Sequence, residues 1–246
     1  LSGPGLLAQD ERKRDRALRI LAVGQEPPWR EVIQGGRRVQ VTPPEGSLPP
    51  GRLQLSNAEG IELGEAVGVK LNQISSVLPV SPGTHPLHAT GEGGLDPKPW
   101  YNLKFPSMTA GLAILWRDPS KGKWTGGCRG LLLRDDVTGF PAGRVRIVNV
   151  SKYPLGVEFG DNKGLVKPGE AKLVSAKSGA SLEVSVKDKS GRWVRVISQQ
   201  INQRPEDRTH VVLYTNDGEA STRSTRPVWA VVLRETARTP AVKRAR

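Results

Sequence analysis

Three observations predict an all-β chain built as two tandem antiparallel β-sandwich modules. Apolar and polar residues alternate over short runs, as in Arg52-Leu-Gln-Leu55 and Leu182-Glu-Val-Ser-Val-Lys187, the period of two that a half-buried strand requires. The 28 glycines and 20 prolines call for many short turns. Finally, Pro49-Pro-Gly-Arg-Leu-Gln-Leu-Ser-Asn57 is matched by Pro141-Ala-Gly-Arg-Val-Arg-Ile-Val-Asn149, so one strand reads as if written twice.

Residues 1–48 read as an N-terminal arm. Asp10 to Val23 mixes both charge signs ahead of Leu18, Leu21 and Val23, and Gly24 suits a helix C-cap, which predicts a short helix. Gln25-Glu-Pro-Pro-Trp29 is extended, because a residue before proline is pushed out of the helical region. Val32-Ile33 and Arg38 to Val41 flank Gln34-Gly-Gly-Arg37, which predicts a hairpin, and the prolines of Thr42 to Pro50 stiffen a linker.

Residues 49–140 form the first predicted module, with strands at Arg52–Leu55, Val67–Leu71, from Thr84, at Ala113–Trp116 and at Leu131–Asp135. Residues 141–236 form the second, with strands near 144–150, 155–160, 170–176, 181–187, 192–200, 209–215 and 228–235. Val80 to Leu87 aligns with Val166 to Leu173 through a shared Pro-Gly that suits a type II turn. Ala113-Ile-Leu-Trp116 and Leu131-Leu-Leu-Arg-Asp135 align with Val211-Val-Leu-Tyr214 and Val231-Val-Leu-Arg-Glu235. The seven short strands of the second module match an immunoglobulin-like or fibronectin-like sandwich, although the Cys–Trp–Cys signature of antibody domains is missing. Residues 237–246 are a basic tail.

The string Arg144-Val-Arg-Ile-Val-Asn-Val-Ser151, followed by Val166-Lys-Pro-Gly169, resembles uncharacterised extracytoplasmic bacterial proteins with tandem β-sandwich modules. The resemblance covers residues 51–236, implies an exported protein of the periplasm or cell exterior, and carries over no catalytic or binding residue. Leu1 to Gln9 fits either the tail of a cleaved secretory leader or an arbitrary boundary.

The formal charge of +13 favours anionic partners such as nucleic acid, an envelope polymer or a membrane surface met peripherally, and the apolar runs are too short to span a bilayer. The excess lies late in the chain: residues 151–246 carry 18 Lys and Arg against 10 Asp and Glu.

Catalytic signatures are missing, and neither a cofactor nor a metal site is predicted. His85 and His88 point to opposite faces of a strand and read as packing or surface residues. Asp135-Asp136 reads as a polar strand end, since calcium needs six or more oxygens. Gly126-Gly-Cys-Arg-Gly130 leads into a strand rather than a helix, which fits close packing and not a phosphate loop. The single Cys128 reads as a small core residue, and the sequon-like Asn149-Val-Ser151 as a strand end. The candidate binding surface comprises two hairpin ends: Trp116, Lys121, Lys123 and Trp124 in the first module, and Tyr214, Arg223, Arg226 and Trp229 in the second. Aromatics beside cations there suit sugars, bases or an anionic protein, whereas Trp116 and Trp124, symmetric about Ser120, also suit a cross-strand pair. The sequence therefore predicts a non-catalytic interaction protein, with polyanion binding and carbohydrate binding as alternatives.

Overall fold

The computed structural model describes residues 16–28, 30–57, 62–91, 93–125, 127–175, 179–216 and 226–238. Every regular element among them is a strand. The first are β1 (Arg16–Val23), β2 (Glu31–Gln34), β3 (Arg37–Gln40), β4 (Arg52–Ser56), β5 (Glu62–Gly68), β6 (Leu78–Val80), β7 (Gly83–Gly91), β8 (Gly94–Leu95), β9 (Tyr101–Phe105), β10 (Ala110–Arg117) and β11 (Cys128–Arg134). Next come β12 (Arg144–Asn149), β13 (Leu155–Phe159), β14 (Asn162–Val166), β15 (Ala171–Ser175), β16 (Ala180–Lys187), β17 (Trp193–Ile201), β18 (Asp207–Thr215) and β19 (Val228–Thr236). No helix of the described residues is long and apolar enough to cross a membrane.

In the first half, a sheet ordered β11-β10-β1-β6 shares a core with one ordered β5-β4-β7, whose β7 also pairs β8 and β9. Leu18, Ile20, Ala113 and Leu115 from the one meet Leu53, Leu55, Leu87 and Phe105 from the other. In the second half, β15-β12-β18-β19 shares a core with β14-β13-β16-β17, where Val145, Ile147, Val211 and Leu213 meet Leu155, Phe159, Leu182 and Val184. Each half contains one parallel pair, β1 with β10 and β12 with β18, so these two sheets are mixed rather than antiparallel throughout.

The strand orders coincide, and β1, β4, β5, β6, β7, β9, β10 and β11 take the places of β12 through β19. This changes two expectations. The matched Pro-x-Gly-Arg motifs fall on β4 and β12, which are not counterparts, because β4 lies between β5 and β7 while β12 lies between β15 and β18. The shared Pro-Gly turn joins β6 to β7 in one half and β14 to β15 in the other. Only the later matches, β10 with β18 and β11 with β19, join equivalent strands.

The counterpart of β12 is β1, in the stretch expected to be helical. Arg16–Val23 is a central strand, pairing β10 on one side and β6 on the other. Leu18, Ile20 and Ala22 face the first core while Leu21 and Val23 face outward, and both faces are covered. A strand buried on both faces shows a continuous apolar run rather than alternation, which is why it resembles a short helix in sequence. The rest of that expected helix, residues 10–15, lies outside the described residues. The hairpin β2–β3 closes through Gly35 and Gly36, whose φ values of 59° and 76° are those a type I′ turn demands.

Deleting residues 1–28 is therefore expected to collapse the first half, not trim an appendage. Leu18, Ile20, Leu21 and Val23 are almost completely buried, each contributing about 1.5–3 kcal/mol by transfer from water. Near-ultraviolet circular dichroism during thermal unfolding should show loss of the cooperative transition from the first half. An unchanged midpoint would mean that β1 is dispensable.

Candidate functional site

The outer faces of β1, β10 and β11 pack against those of β12, β18 and β19. Leu21, Val23, Leu112, Ile114, Leu131 and Leu133 meet Val148, Val150, Val212, Tyr214, Val231 and Leu233 in a third core. Side chains on one face of a strand recur every second residue, and at one end of this contact that rule places ionisable groups in line with the apolar ones. Arg19 lies two before Leu21, Arg146 two before Val148, His210 and Arg208 two and four before Val212, Asp135 two after Leu133, and Glu235 two after Leu233.

These six form a buried cluster that ties the halves together. Arg19 donates through Nε and Nη2 to Asp135 Oδ2 at 2.9 and 2.6 Å, and through Nη1 and Nη2 to the two oxygens of Glu235 at 2.5 and 2.7 Å. Arg208 donates from Nε to Glu235 Oε1 at 2.9 Å and from Nη1 to the Asp135 carbonyl at 2.9 Å, with Nη2 3.4 Å from Asp135 Oδ1. Arg146 donates to the Arg134 and Gly139 carbonyls at 2.6 and 3.1 Å and stacks 4.0 Å above the Phe140 ring, which His210 meets edge-on at 4.7 Å.

The electrostatics follow from burial and pairing. Burial opposes charge on Glu235, but the hydrogen bonds from Arg19 and the charges of Arg19 and Arg208 prevail, holding its carboxyl far below the usual range. Burial, reinforced by the nearby Arg208 and Arg19 charges, brings Arg146 down to about 10 despite the attraction of Asp135 and Glu235. Burial likewise pushes His210 below its ordinary value against the pull of Glu235 and Asp135, so the imidazole is neutral at pH 7.

Asp135, His210 and Glu235 offer ligand atoms within 4.8 Å of one another, as a metal triad does. Their surroundings disfavour a cation, because Arg19, Arg146 and Arg208 already outnumber the two carboxylates of the cluster. The arrangement is an electrostatic clamp. Sequence reading missed it, treating Asp135 as a polar strand end, although Asp136 fits that description by accepting from Thr109 Oγ1, Arg134 Nε and the Gly139 amide.

The predicted surface aromatics lie elsewhere than expected. Trp116 faces Arg129 in the β10–β11 register, not Trp124. Trp124 is 1% exposed in the first core, stacked on Trp100 at 5.9 Å, and its amide donates to the Gly46 carbonyl. Tyr214 and Trp229 are direct cross-strand partners, packed into the contact between the halves. These four rings therefore build no shared exposed platform. Lys121, Lys123 and Arg226 are exposed, and Arg223 lies outside the described residues.

The remaining candidates are structural. His88 accepts or donates between Ser56 Oγ at 3.0 Å and the Asp96 carbonyl at 2.7 Å, an order that activates serine nucleophiles, but Ser56 is fully buried and no substrate reaches it. His85 is tied to the Ser81 carbonyl at 2.8 Å. Burial pushes the Cys128 thiol well up, against the nearby Lys121, so the thiolate is scarce at neutral pH. A Cβ on Gly130 would meet Tyr101 Oη at 2.5 Å, which accounts for the glycine by close packing. Asn149 is buried with its amide donating to the Tyr153 and Val166 carbonyls, so it serves as a strand-end clip rather than a glycan acceptor.

Glu235→Gln should cost about 3–5 kcal/mol in urea unfolding, because it leaves the buried Arg19 and Arg208 to share the single carboxylate of Asp135. For His210, the unfolded chain takes up its proton first as pH falls through about 6.5, so stability is present above that pH and declines below it. His210→Leu should flatten this dependence between about pH 7.5 and 5.5, by up to about 1.4 kcal/mol per pH unit. An identical slope in both proteins would show that the imidazole titrates freely when folded.

Compared with known proteins, the chain matches no protein-family model, and no curated protein aligns with it significantly in sequence.

Proposed function

We propose that this is a non-catalytic, exported bacterial interaction protein in which two tandem β-sandwich modules of immunoglobulin-like architecture are clamped back to back and hold a docking hairpin. The observation that carries the reading is the β2–β3 hairpin. All eight of its strand residues are exposed, and among the described residues the two strands pair only with each other. Val32 and Val39 are cross-strand partners at 49% and 41% exposure, Val41 continues their face, and Ile33 on the opposite face is 78% exposed. An isolated two-stranded hairpin is marginal in water, and among the described residues nothing covers the exposed β-branched side chains on it, so an external protein or envelope polymer is what they suit. Its tip, Gln34-Gly-Gly-Arg37, is polar, which favours such a partner over insertion into lipid.

The extracytoplasmic assignment rests on the resemblance of residues 51–236. The polyanion reading keeps one favourable observation, the charge of +13, whereas a sugar-binding role loses support with the rings of Trp116, Trp124, Tyr214 and Trp229 packed as described.

A photo-crosslinking residue at position 33 should capture a discrete neighbour in the native cell, and the same residue at exposed Lys189 should not. Val32→Ser with Val39→Ser should abolish that capture without moving the thermal midpoint. Equal labelling from both positions would sink the docking role. Retention on duplex DNA that weakens steeply with salt would favour the polyanion reading, because each phosphate contact releases counterions.

A further inference from the structure

Two long strands, β17 and β19, end their sheets side by side, each with one edge unpaired among the described residues. Between them lies a groove of about 470 Å³, within the range of about 300–1,000 Å³ usual for small-ligand sites. Ile197, Ala230 and Trp229 supply apolar lining, Ser198 adds a hydroxyl, and Arg195 and Arg226 line it with positive charge; among the described residues, none that line it is a carboxylate. Arg195 reaches Glu183 at 2.9 Å with its side chain more than half exposed, so the five-donor guanidinium keeps hydrogen-bonding capacity on its solvent side.

The backbone beside the groove is irregular. Arg195 pairs with Ser185 and Ile197 with Val184, leaving Val196 as an extra residue in a β-bulge. A bulge interrupts regular pairing and twists an edge, which discourages a full-length strand from adding to it. A short extended segment is still accommodated.

We infer that the groove between β17 and β19 binds a short, extended, acidic peptide segment by strand addition to β17, with carboxylates held by Arg195 and Arg226 and small apolar side chains on Ile197 and Ala230. Charge complementarity selects this occupant. A second copy of a chain carrying +13 would bring further positive charge to a basic groove. The inference rests on reading the protein as an interaction scaffold, and adds a chemically defined site separate from the hairpin.

Fluorescence anisotropy with three labelled peptides on the full chain tests it: alternating Asp-Val, alternating Lys-Val, and Asp-Val interrupted by proline, which cannot complete a strand ladder. The Asp-Val peptide should bind, and the other two should bind at least about tenfold more weakly. Arg195→Glu combined with Arg226→Glu should reverse the preference between the Asp-Val and Lys-Val peptides, with Arg195→Gln and Arg226→Gln as milder variants whose folding is checked by thermal midpoint. Failure of the Asp-Val peptide to bind, equal binding of all three, or binding unaffected by these variants would overturn the inference. So would groove-dependent self-association in sedimentation, which would assign the groove to a second copy. Capture from position 33 is independent of the groove, so it survives if only this site fails.

Discussion

The central strands β1 and β12 have no face left for water, and the architecture follows from that constraint. Each presents one face to its own core and the other to the opposite half, so Leu18 and Leu21, or Ile147 and Val148, are neighbours in sequence yet belong to different cores. Where the apolar stripe ends, the same geometry carries arginine, aspartate, glutamate and histidine into the contact. Charges so placed are stable only when each has a partner of opposite sign, and Arg19 meets that requirement by holding one carboxylate from each half.

The cluster also shows how matching strand orders and asymmetry coexist. In the matched strand orders, Arg19 corresponds to Arg146 and Asp135 to Glu235. Strict symmetry would pair Arg146 with Glu235 as Arg19 pairs with Asp135. The second half, however, has Arg208 and His210 where the first has Ala110 and Leu112. Arg208 takes Glu235 Oε1, and Arg146 turns to two backbone carbonyls and the Phe140 ring. A cation on an aromatic face and on carbonyl oxygens is less fully compensated than one on a carboxylate, which agrees with the lowered pKa of Arg146.

Legibility in the sequence followed burial. In the second half, strands with one buried face, such as β16 with its strict alternation from Leu182 to Val186, stood out, as did β18 with its Val211-Val-Leu core. The short edge strand β14 escaped because Asn162-Lys-Gly164 supplies little strand propensity ahead of Leu165 and Val166. β1 resembles a helix in sequence because burial on both faces erases the period-two signal. The false match of β4 to β12 arose because proline, glycine, arginine and alternation describe how many strands begin, not which strand it is. The clamp joins residues up to 216 positions apart, from Arg19 to Glu235, so no local window contains it. Its trace is a charged residue two positions beyond an apolar same-face pair, repeated on five strands or their ends.

The aromatic residues teach a related point about spacing. Trp116 and Trp124 are symmetric about Ser120, yet Lys121 and Gly122 both donate to the Asp118 carbonyl and the turn closes before symmetry can operate. The chain then returns to β11 only at Cys128, and Trp124, released from the ladder, buries its large ring against Trp100 and pins the linker at Gly46. Rings that enter packing in this way contribute rigidity instead of recognition. With both faces of the central strands covered and Trp100 and Trp124 inside the first core, a partner is left with strand edges, loops, the hairpin and the solvent faces of the outer sheets. Recognition by backbone ladder and flanking charge suits such a surface, because it depends on how firmly the edge is held, and back-to-back packing closed by a buried ion cluster holds β19 firmly.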